Sequence, residues 1–155
     1  MKQEKKEFYL AHPFLSRHKV HRWELEFEKE FPHIALFNPF YDPKDPDGLA
    51  EIVVNADGSE TQRTAPFHVL VEEDLAHLAN SRGLVGIIDE NRTYGTTMEI
   101  VYAVFYDLPV TLVITNGQEL HPFLQYHADH IYTSWDEFVA AVRGVETRLS
   151  NGVIG

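Results

Sequence analysis

The stretch Leu84-Val85-Gly86-Ile87-Ile88, which ends at Asp89, decides the fold class. It is a nearly continuous aliphatic run, and Pro109-Val110-Thr111-Leu112-Val113-Ile114 is a second one. Uncharged runs of this length are typical of strands that are buried on both faces of a parallel sheet. We therefore expect both stretches to be inner strands of a sheet that helices cover on either side.

The segments around these two runs alternate between strand-like and helix-like patterns. Apolar residues recur at helical spacing in four segments, at 16–31, 67–80, 96–106 and 134–149. Short apolar runs predict further strands at 8–11, 34–37 and 130–132. The order predicts an α/β fold, a Rossmann- or flavodoxin-like three-layer sandwich with about five mostly parallel strands and helices on both faces. Helix 96–106 is apolar nearly all round, so we expect it to be deeply packed.

One long segment interrupts this alternation. Residues 38–65 are rich in Pro, Asp, Gly and Asn, which predicts a long loop that holds at most a short element at 49–54. Loops of this length in compact domains are usually functional. Because no other break occurs, we expect residues 1–155 to form a single domain.

Composition narrows the class of function. Of the 155 residues, 44% are hydrophobic and 24% are charged, as in soluble globular domains. The absence of cysteine excludes disulfides, thiol nucleophiles and iron–sulfur clusters, and it is typical of a reducing cytoplasm. A net charge of −11 disfavours nucleic-acid binding, and no apolar run is long enough to span a bilayer. We therefore expect a cytoplasmic protein that binds neither nucleic acid nor membrane.

Sequence motifs for metals and nucleotide cofactors are missing. The histidine pairs His18/His21 and His127/His130 lack the i, i+4 spacing and the intervening Glu of a zinc-binding helix. There is no glycine-rich phosphate-binding loop and no G-x-S-x-G motif. The sequence therefore predicts an activity that needs neither a metal nor a cofactor.

Ligands of parallel α/β sheets bind beyond the carboxyl ends of the strands. Three predicted strand exits lie there, at 9–14, 89–99 and 115–121. In the second exit, Thr96 and Glu99 have the spacing of a capping box, S/T-x-x-E, at the start of a helix. The alternative is that Glu99 faces the cleft, where the positive end of the helix would hold it ionised as a nucleophile.

Three short motifs resemble those of nucleoside 2-deoxyribosyltransferases. Tyr9-Leu10-Ala11-His12-Pro13-Phe14 is similar to the family's Y-L-A-x-P-F opening. Gly95-Thr96-Thr97-Met98-Glu99 resembles its G-T-x-x-E signature, and Glu73-Asp74-Leu75 resembles its acidic-Asp-Leu segment. The resemblance covers roughly residues 8–14 and 67–137, with the motifs in the family's order and spacing. It favours the catalytic interpretation of Glu99 over the capping box.

The resemblance implies an activity and a set of roles. Members of the family cleave the N-glycosidic bond of a 2′-deoxynucleoside and transfer the deoxyribosyl group to another base through a covalent sugar ester, with net retention. Glu99 matches the nucleophile, Tyr9 the tyrosine that orients it, and Asp74 the acid that hydrogen-bonds the base. The residues expected to contact substrate are Asp89, Thr93, Gly95, Phe14, His121 and Phe123. Without the resemblance, Tyr9 could equally be a core aromatic, and the sequence would favour a solvated helix charge for Asp74.

Two departures from the family pattern keep other functions open. Family members commonly carry Asp six residues before the nucleophile, whereas this sequence has Thr93, which would not repel a phosphate. Ser16-Arg17, at the start of the first helix, is a candidate anion site. The related 5′-nucleotide N-glycosidases, which release a free base, are therefore an alternative. A non-catalytic nucleoside- or nucleotide-binding domain is a second alternative.

The resemblance also implies partners. The substrates would be deoxynucleosides and free nucleobases, and because the family's sites are shared across subunits, we expect a homo-oligomer, either a dimer or a hexamer. In the family, residues that follow the fourth strand complete a neighbour's site. The corresponding stretch, 120–124, lacks the Asn and Met common there. The resemblance therefore implies this role for His121 and Phe123. His12 stands where a small residue is common, which would alter the pocket shape.

Overall fold

The structure, a computed structural model, describes residues 4–44, 50–117 and 119–150, the last four by their backbone alone. Strands and helices alternate through most of this chain. In order, they are β1 (Lys6–Ala11), α1 (Arg17–Glu30), β2 (Ile34–Phe37), β3 (Ile52–Val54), β4 (Glu60–Gln62), α2 (Phe67–Ala79), β5 (Leu84–Ile88), α3 (Tyr94–Phe105), β6 (Val110–Ile114), α4 (Pro122–His127), β7 (His130–Tyr132) and α5 (Trp135–Ser150).

Five strands form one sheet in the order β2-β1-β5-β6-β7. All four neighbouring pairs in this sheet run parallel, so the predicted sheet is parallel throughout rather than mostly. The order reverses between β1 and β5, and a crevice opens beyond the carboxyl ends of strands at such a switch point. The predicted flavodoxin-like α/β sandwich is therefore confirmed, and the exits of β1 and β5 lie side by side.

Helices cover both faces of the sheet, and side chains alternate between the two cores. On one face, Val20 and Phe27 of α1 pack with Trp135 and Phe138 of α5. On the other face, the buried residues are Leu78 of α2, Ile100 and Ala103 of α3, and Leu120. Successive side chains of a strand point to opposite faces, so Leu10 joins the first core and Tyr9 the second.

Side chains of β6 and α3 pack close to Gly86 in the middle of β5. A Cβ atom at Gly86 would lie 3.0 Å from Leu112 Cδ2 and at an ordinary contact distance, 3.5 Å, from Ile100 Cδ1. A larger residue at this position would require the Leu112 side chain to shift. The glycine thus leaves room for Leu112 beside this inner strand.

Helix α3 differs from its prediction in two ways. It begins at Tyr94, and its N-cap is Thr93, whose hydroxyl accepts a hydrogen bond from the Gly95 amide at 3.2 Å. The predicted start at Thr96 is therefore wrong, because that residue is buried inside the first turn. The expected deep packing is wrong as well, since one face of the helix is exposed. That face consists of Tyr94, Met98, Tyr102 and Phe105.

The connecting segments hold two elements beyond the expected ones. Within 38–65, β3 and β4 form an antiparallel two-stranded hairpin, and residues 45–49 of that segment lie outside the described residues. Helix α4 was not predicted; His121 is its N-cap and Pro122 its first residue. In the described part of the chain, no helix is long and apolar enough to cross a membrane.

Candidate active site

Two residues that are 90 positions apart meet on the α2–α3 side of the sheet. Tyr9 is fully buried in β1, and its hydroxyl donates a hydrogen bond to Glu99 Oε2. Glu99 is the sixth residue of α3, so its carboxylate reaches the tyrosine rather than the amides at the start of the helix. The capping-box interpretation of Glu99 is therefore wrong.

Asp74, on α2, lies near this pair and forms an ion pair with a lysine. Its Oδ1 atom lies 2.6 Å from Lys44 Nζ, and Glu51 Oε2 lies 3.4 Å from the same nitrogen. The Lys44 side chain is only 2% exposed, whereas that of Asp74 is 23% exposed. Asp74 is thus a paired residue at the edge of a cleft and not a solvated charge on a helix surface.

A cavity of about 550 Å³ lies beside Glu99 and Asp74. Glu99, Asp74 and Glu51 line it, together with apolar and aromatic side chains that include Phe14 and Phe40. Pockets for small organic ligands are typically about 300–1,000 Å³, mostly apolar, with a few polar groups that fix orientation. The cavity therefore has the size and lining to hold a small organic ligand beside carboxylates.

Gly95 and His12 also line this cavity. His12 is buried, and its Nε2 atom lies 3.0 Å from Asn38 Oδ1. Burial lowers the pKa of His12, so the imidazole is neutral at pH 7 and adds no charge to the carboxylates.

Two of the carboxyl groups that line the cavity, those of Glu99 and Asp74, have pKa values above their ordinary ranges. Burial raises the pKa of Glu99 to about 8; the hydrogen bond from Tyr9 and the charge of Lys44 oppose this rise, while Asp74 and Glu51 add to it. Burial also raises the pKa of Asp74 to about 6, against the ion pair with Lys44. Burial therefore opposes the ionised form of Glu99, which the sequence analysis expected the helix end to favour.

A second cavity of about 740 Å³ adjoins the first around the start of α3. Thr93 lies in the wall of both cavities, whereas Arg92, His121 and Asp89 line only the second. Phe123, which is 72% exposed, is outside both walls. The structure thus places most of the expected substrate-contact residues in the walls of two adjoining cavities.

The Asp89 carboxylate supports the loop after β5 from within. It is buried, its Oδ1 accepts a hydrogen bond from the Asn91 amide at 2.8 Å, and its Oδ2 accepts one from Ser16 Oγ at 2.5 Å. Arg17 pairs with Glu60 at 3.2 Å. The candidate anion site at Ser16-Arg17 is therefore wrong, since both side chains already bind carboxylates.

The sequence did not predict that Lys44 and Glu51 lie at this site. Both lie in the segment 38–65, where no periodicity or motif singles out one charged residue from its neighbours. Lys44 pairs with Asp74 of α2, which is distant in sequence, and Glu51 pairs with Lys44. No group of three or more His, Asp or Glu side chains among the described residues is arranged to hold a metal ion.

Comparisons with known proteins place the fold. Solved structures with a similar fold include a 2-deoxyribosyltransferase from the psychrotolerant bacterium Bacillus psychrosaccharolyticus, with a TM-score of 0.62 and 17% sequence identity. That match covers 86% of this chain and 90% of the other. The CMP N-glycosidase BcmB of Clostridium botulinum matches with a TM-score of 0.57 and 14% identity, over 89% of this chain and 98% of the other.

Sequence comparison alone does not reach these proteins, because no family model and no curated protein matches the chain. At identities this low, the structural matches establish the fold. Both matches cover most of this chain. One protein is named as a member of the family that the sequence motifs resemble, and the other is of the kind that the departures from the family pattern suggested. The chain therefore shares the flavodoxin-like fold of 2-deoxyribosyltransferases and related N-glycosidases.

Proposed function

We propose that the protein is a nucleoside 2-deoxyribosyltransferase, which cleaves the N-glycosidic bond of a 2′-deoxynucleoside and transfers deoxyribose to another nucleobase. The observation that carries this proposal is the hydrogen bond from buried Tyr9 to Glu99 in a cavity that Asp74 also lines. The named activities of the two similar structures, a deoxyribosyl transferase and an N-glycosidase, support the same bond as the target.

The reaction would run in two displacements. A Glu99 carboxylate oxygen attacks C1′ of the sugar, the C1′–N bond breaks, and its electron pair leaves with the base, which takes a proton from Asp74. The acceptor base then attacks C1′, releases Glu99 and returns its own proton to Asp74. Two inversions at C1′ give net retention, and Tyr9 orients the carboxylate throughout.

Purified protein would be incubated with thymidine or deoxyinosine plus adenine, and the products would be separated by chromatography. We expect new deoxyadenosine. Release of free base from the matching 5′-monophosphates alone would instead assign the nucleotide hydrolase. Binding without turnover of either substrate would favour the non-catalytic domain and contradict the proposal.

One feature favours 5′-nucleotide N-glycosidases as the second candidate. Arg92 is exposed and lines the second cavity, which adjoins the cavity that Glu99 lines, and the neighbouring Thr93 is uncharged. An arginine beside an uncharged residue accommodates a phosphate, whereas Asp at the position of Thr93 would repel it. The monophosphate arm of the assay, repeated with Arg92→Ala, separates this candidate from the transferase.

Activity should follow a bell-shaped pH profile. With a pKa of about 6 for Asp74 and about 8 for Glu99, the pair holds two protons below pH 6, one between these values and none above pH 8. The reaction needs the single proton on Asp74 with Glu99 ionised, and this is the minor of the two one-proton forms, since the pKa values place most of that proton on Glu99. We expect kcat/KM to fall on the acid side for lack of a nucleophile and on the alkaline side for lack of an acid. A rate that does not change from pH 5 to pH 9 would contradict this assignment.

The protein should self-associate through the exposed face of α3, which comprises Tyr94, Met98, Tyr102 and Phe105. Phe105 is 77% exposed, and Met98 directly precedes the proposed nucleophile. Because exposed apolar clusters of this kind mark interaction sites, we expect a homo-oligomer by light scattering. Phe105→Glu should shift it toward monomer, whereas Leu25→Glu, at an exposed apolar residue of α1, should not. A monomeric wild-type protein with full activity would contradict this prediction.

A further inference from the structure

Lys44 is a buried lysine that no motif accounts for. Its side chain is 2% exposed, and its Nζ atom lies 2.6 Å from Asp74 Oδ1 and 3.4 Å from Glu51 Oε2. Its carbonyl oxygen lies 3.3 Å from His77 Nδ1, so the backbone is held on α2 as well. A buried ammonium group loses several kcal/mol of hydration, and breaking one such pair typically destabilises the fold.

The charged groups around Lys44 come from several elements. Asp74 and Glu73 are on α2, Glu51 precedes β3, and Glu99 is on α3. Glu73 is paired with Arg63 at 2.5 Å, and the neutral Tyr9 hydroxyl faces Glu99.

Two histidines complete these surroundings. His77 on α2 contacts Glu7 as well as the Lys44 carbonyl, and His12 on the far wall is uncharged at pH 7. Lys44 thus contacts two of the three carboxylates that line the first cavity, those of Asp74 and Glu51.

We propose that Lys44 is a positioning residue for the reaction: its ammonium group holds the Asp74 carboxylate at the cavity wall and offsets the negative charge of Glu51, Asp74 and Glu99. Lys44 is not part of the cavity wall, so it acts through Asp74 rather than on substrate. This proposal rests on the proposed function, because it states that Lys44 helps to set the pH range in which that reaction runs.

The charge balance explains why one lysine matters to two carboxyl groups. Its positive charge lowers the pKa of both Asp74 and Glu99, while Glu51 raises both. Removal of the ammonium group should therefore make both carboxyl groups hold their protons to higher pH. An ion pair that only braced the segment 38–44 on α2 would not produce this joint shift.

The test is the pH profile of kcat/KM for Lys44→Met, whose side chain keeps the stem but not the charge. We expect both limbs to move up by about one pH unit, since an opposite charge within hydrogen-bond distance typically shifts a carboxyl pKa by about 1–3 units. Glu51→Gln should move both limbs down, and Lys44→Arg should leave them in place. Lys29→Met, at an exposed lysine on α1, is the matched control.

A titration of the Asp74 and Glu99 carboxyl carbons by NMR, in the substrate-free protein, separates this proposal from the proposed function. If wild-type protein turns over no nucleoside or nucleotide, the function fails, and the titration still tests Lys44. Unchanged titration of both carbons in Lys44→Met would overturn the role of Lys44. The role of Lys44 would also be overturned if Lys44→Met lowered kcat/KM at every pH without moving either limb of the pH profile. If Lys44→Met does not fold, unmoved limbs in Glu51→Gln would overturn the charge balance.

Discussion

Glu99→Gln should abolish deoxyribosyl transfer and leave the fold intact. The amide has no carboxylate to attack C1′, and loss of a catalytic nucleophile typically lowers kcat by about 10⁴-fold or more. The Gln oxygen can still accept the hydrogen bond from the Tyr9 hydroxyl, so the packing around β1 is retained. The assay is single-turnover release of base, followed by chromatography, with Glu26→Gln on the exposed side of α1 as the matched control.

The same variant should show a stability signature. Burial raises the pKa of Glu99 from 4.5 to about 8. The protonated carboxyl group therefore stabilises the fold fully below pH 4.5, and this stabilisation is lost as the pH rises through 8. Gln resembles the protonated form at every pH. We therefore expect Glu99→Gln to unfold at a higher temperature than wild type at pH 9 and at a similar one at pH 4. Transfer activity in this variant that equals wild type would exclude Glu99 as the nucleophile.

Asp74→Asn should produce the second-largest loss of activity. General acid–base catalysis by one side chain typically contributes about 10²–10⁴-fold, and Asn cannot hand a proton to the departing base. Because Lys44 loses its partner at 2.6 Å, the variant should also have a lower melting temperature. Activity is therefore to be measured well below that temperature, next to Glu72→Gln on the exposed side of α2.

The decisive readout for Asp74 is its dependence on the leaving group. A nucleoside whose base leaves without protonation needs no acid, so its rate of base release should fall much less in Asp74→Asn than the rate for deoxyinosine. An equal loss with both substrates would indicate that Asp74 only shapes the cavity. That result would remove the acid from the mechanism while leaving Glu99 in place.

The fold could be read from the sequence because its signals are local. The aliphatic runs of β5 and β6 mark buried strands, and the helical spacing of Val20 and Phe27 marks the face of α1 that covers them. The exposed face of α3 could not be predicted in this way. Hydrophobicity shows which side chains avoid water, but not whether they meet this chain or another copy of it.

Residues of the candidate site could be predicted from the sequence only where they belong to a short motif. Tyr9, Asp74 and Glu99 stand in the three motifs that resemble the deoxyribosyltransferases. In the structure, Asp74 and Glu99 line one cavity, and buried Tyr9 donates a hydrogen bond to Glu99. Lys44 and Ser16 show the limit of such reading. Whether a lysine is buried against an aspartate, or a serine hydroxyl is taken by Asp89, depends on contacts between distant segments.

By itself, the sequence determined the layered α/β architecture and the identity of the carboxylates at the strand and helix ends, because periodicity and short motifs are properties of neighbouring residues. Only the tertiary structure decided which of those carboxylates share a cavity, which hydroxyl and ammonium groups contact them, and how strongly burial holds their protons. These properties depend on desolvation and on charges a few ångströms away, and the chain creates both only when it folds.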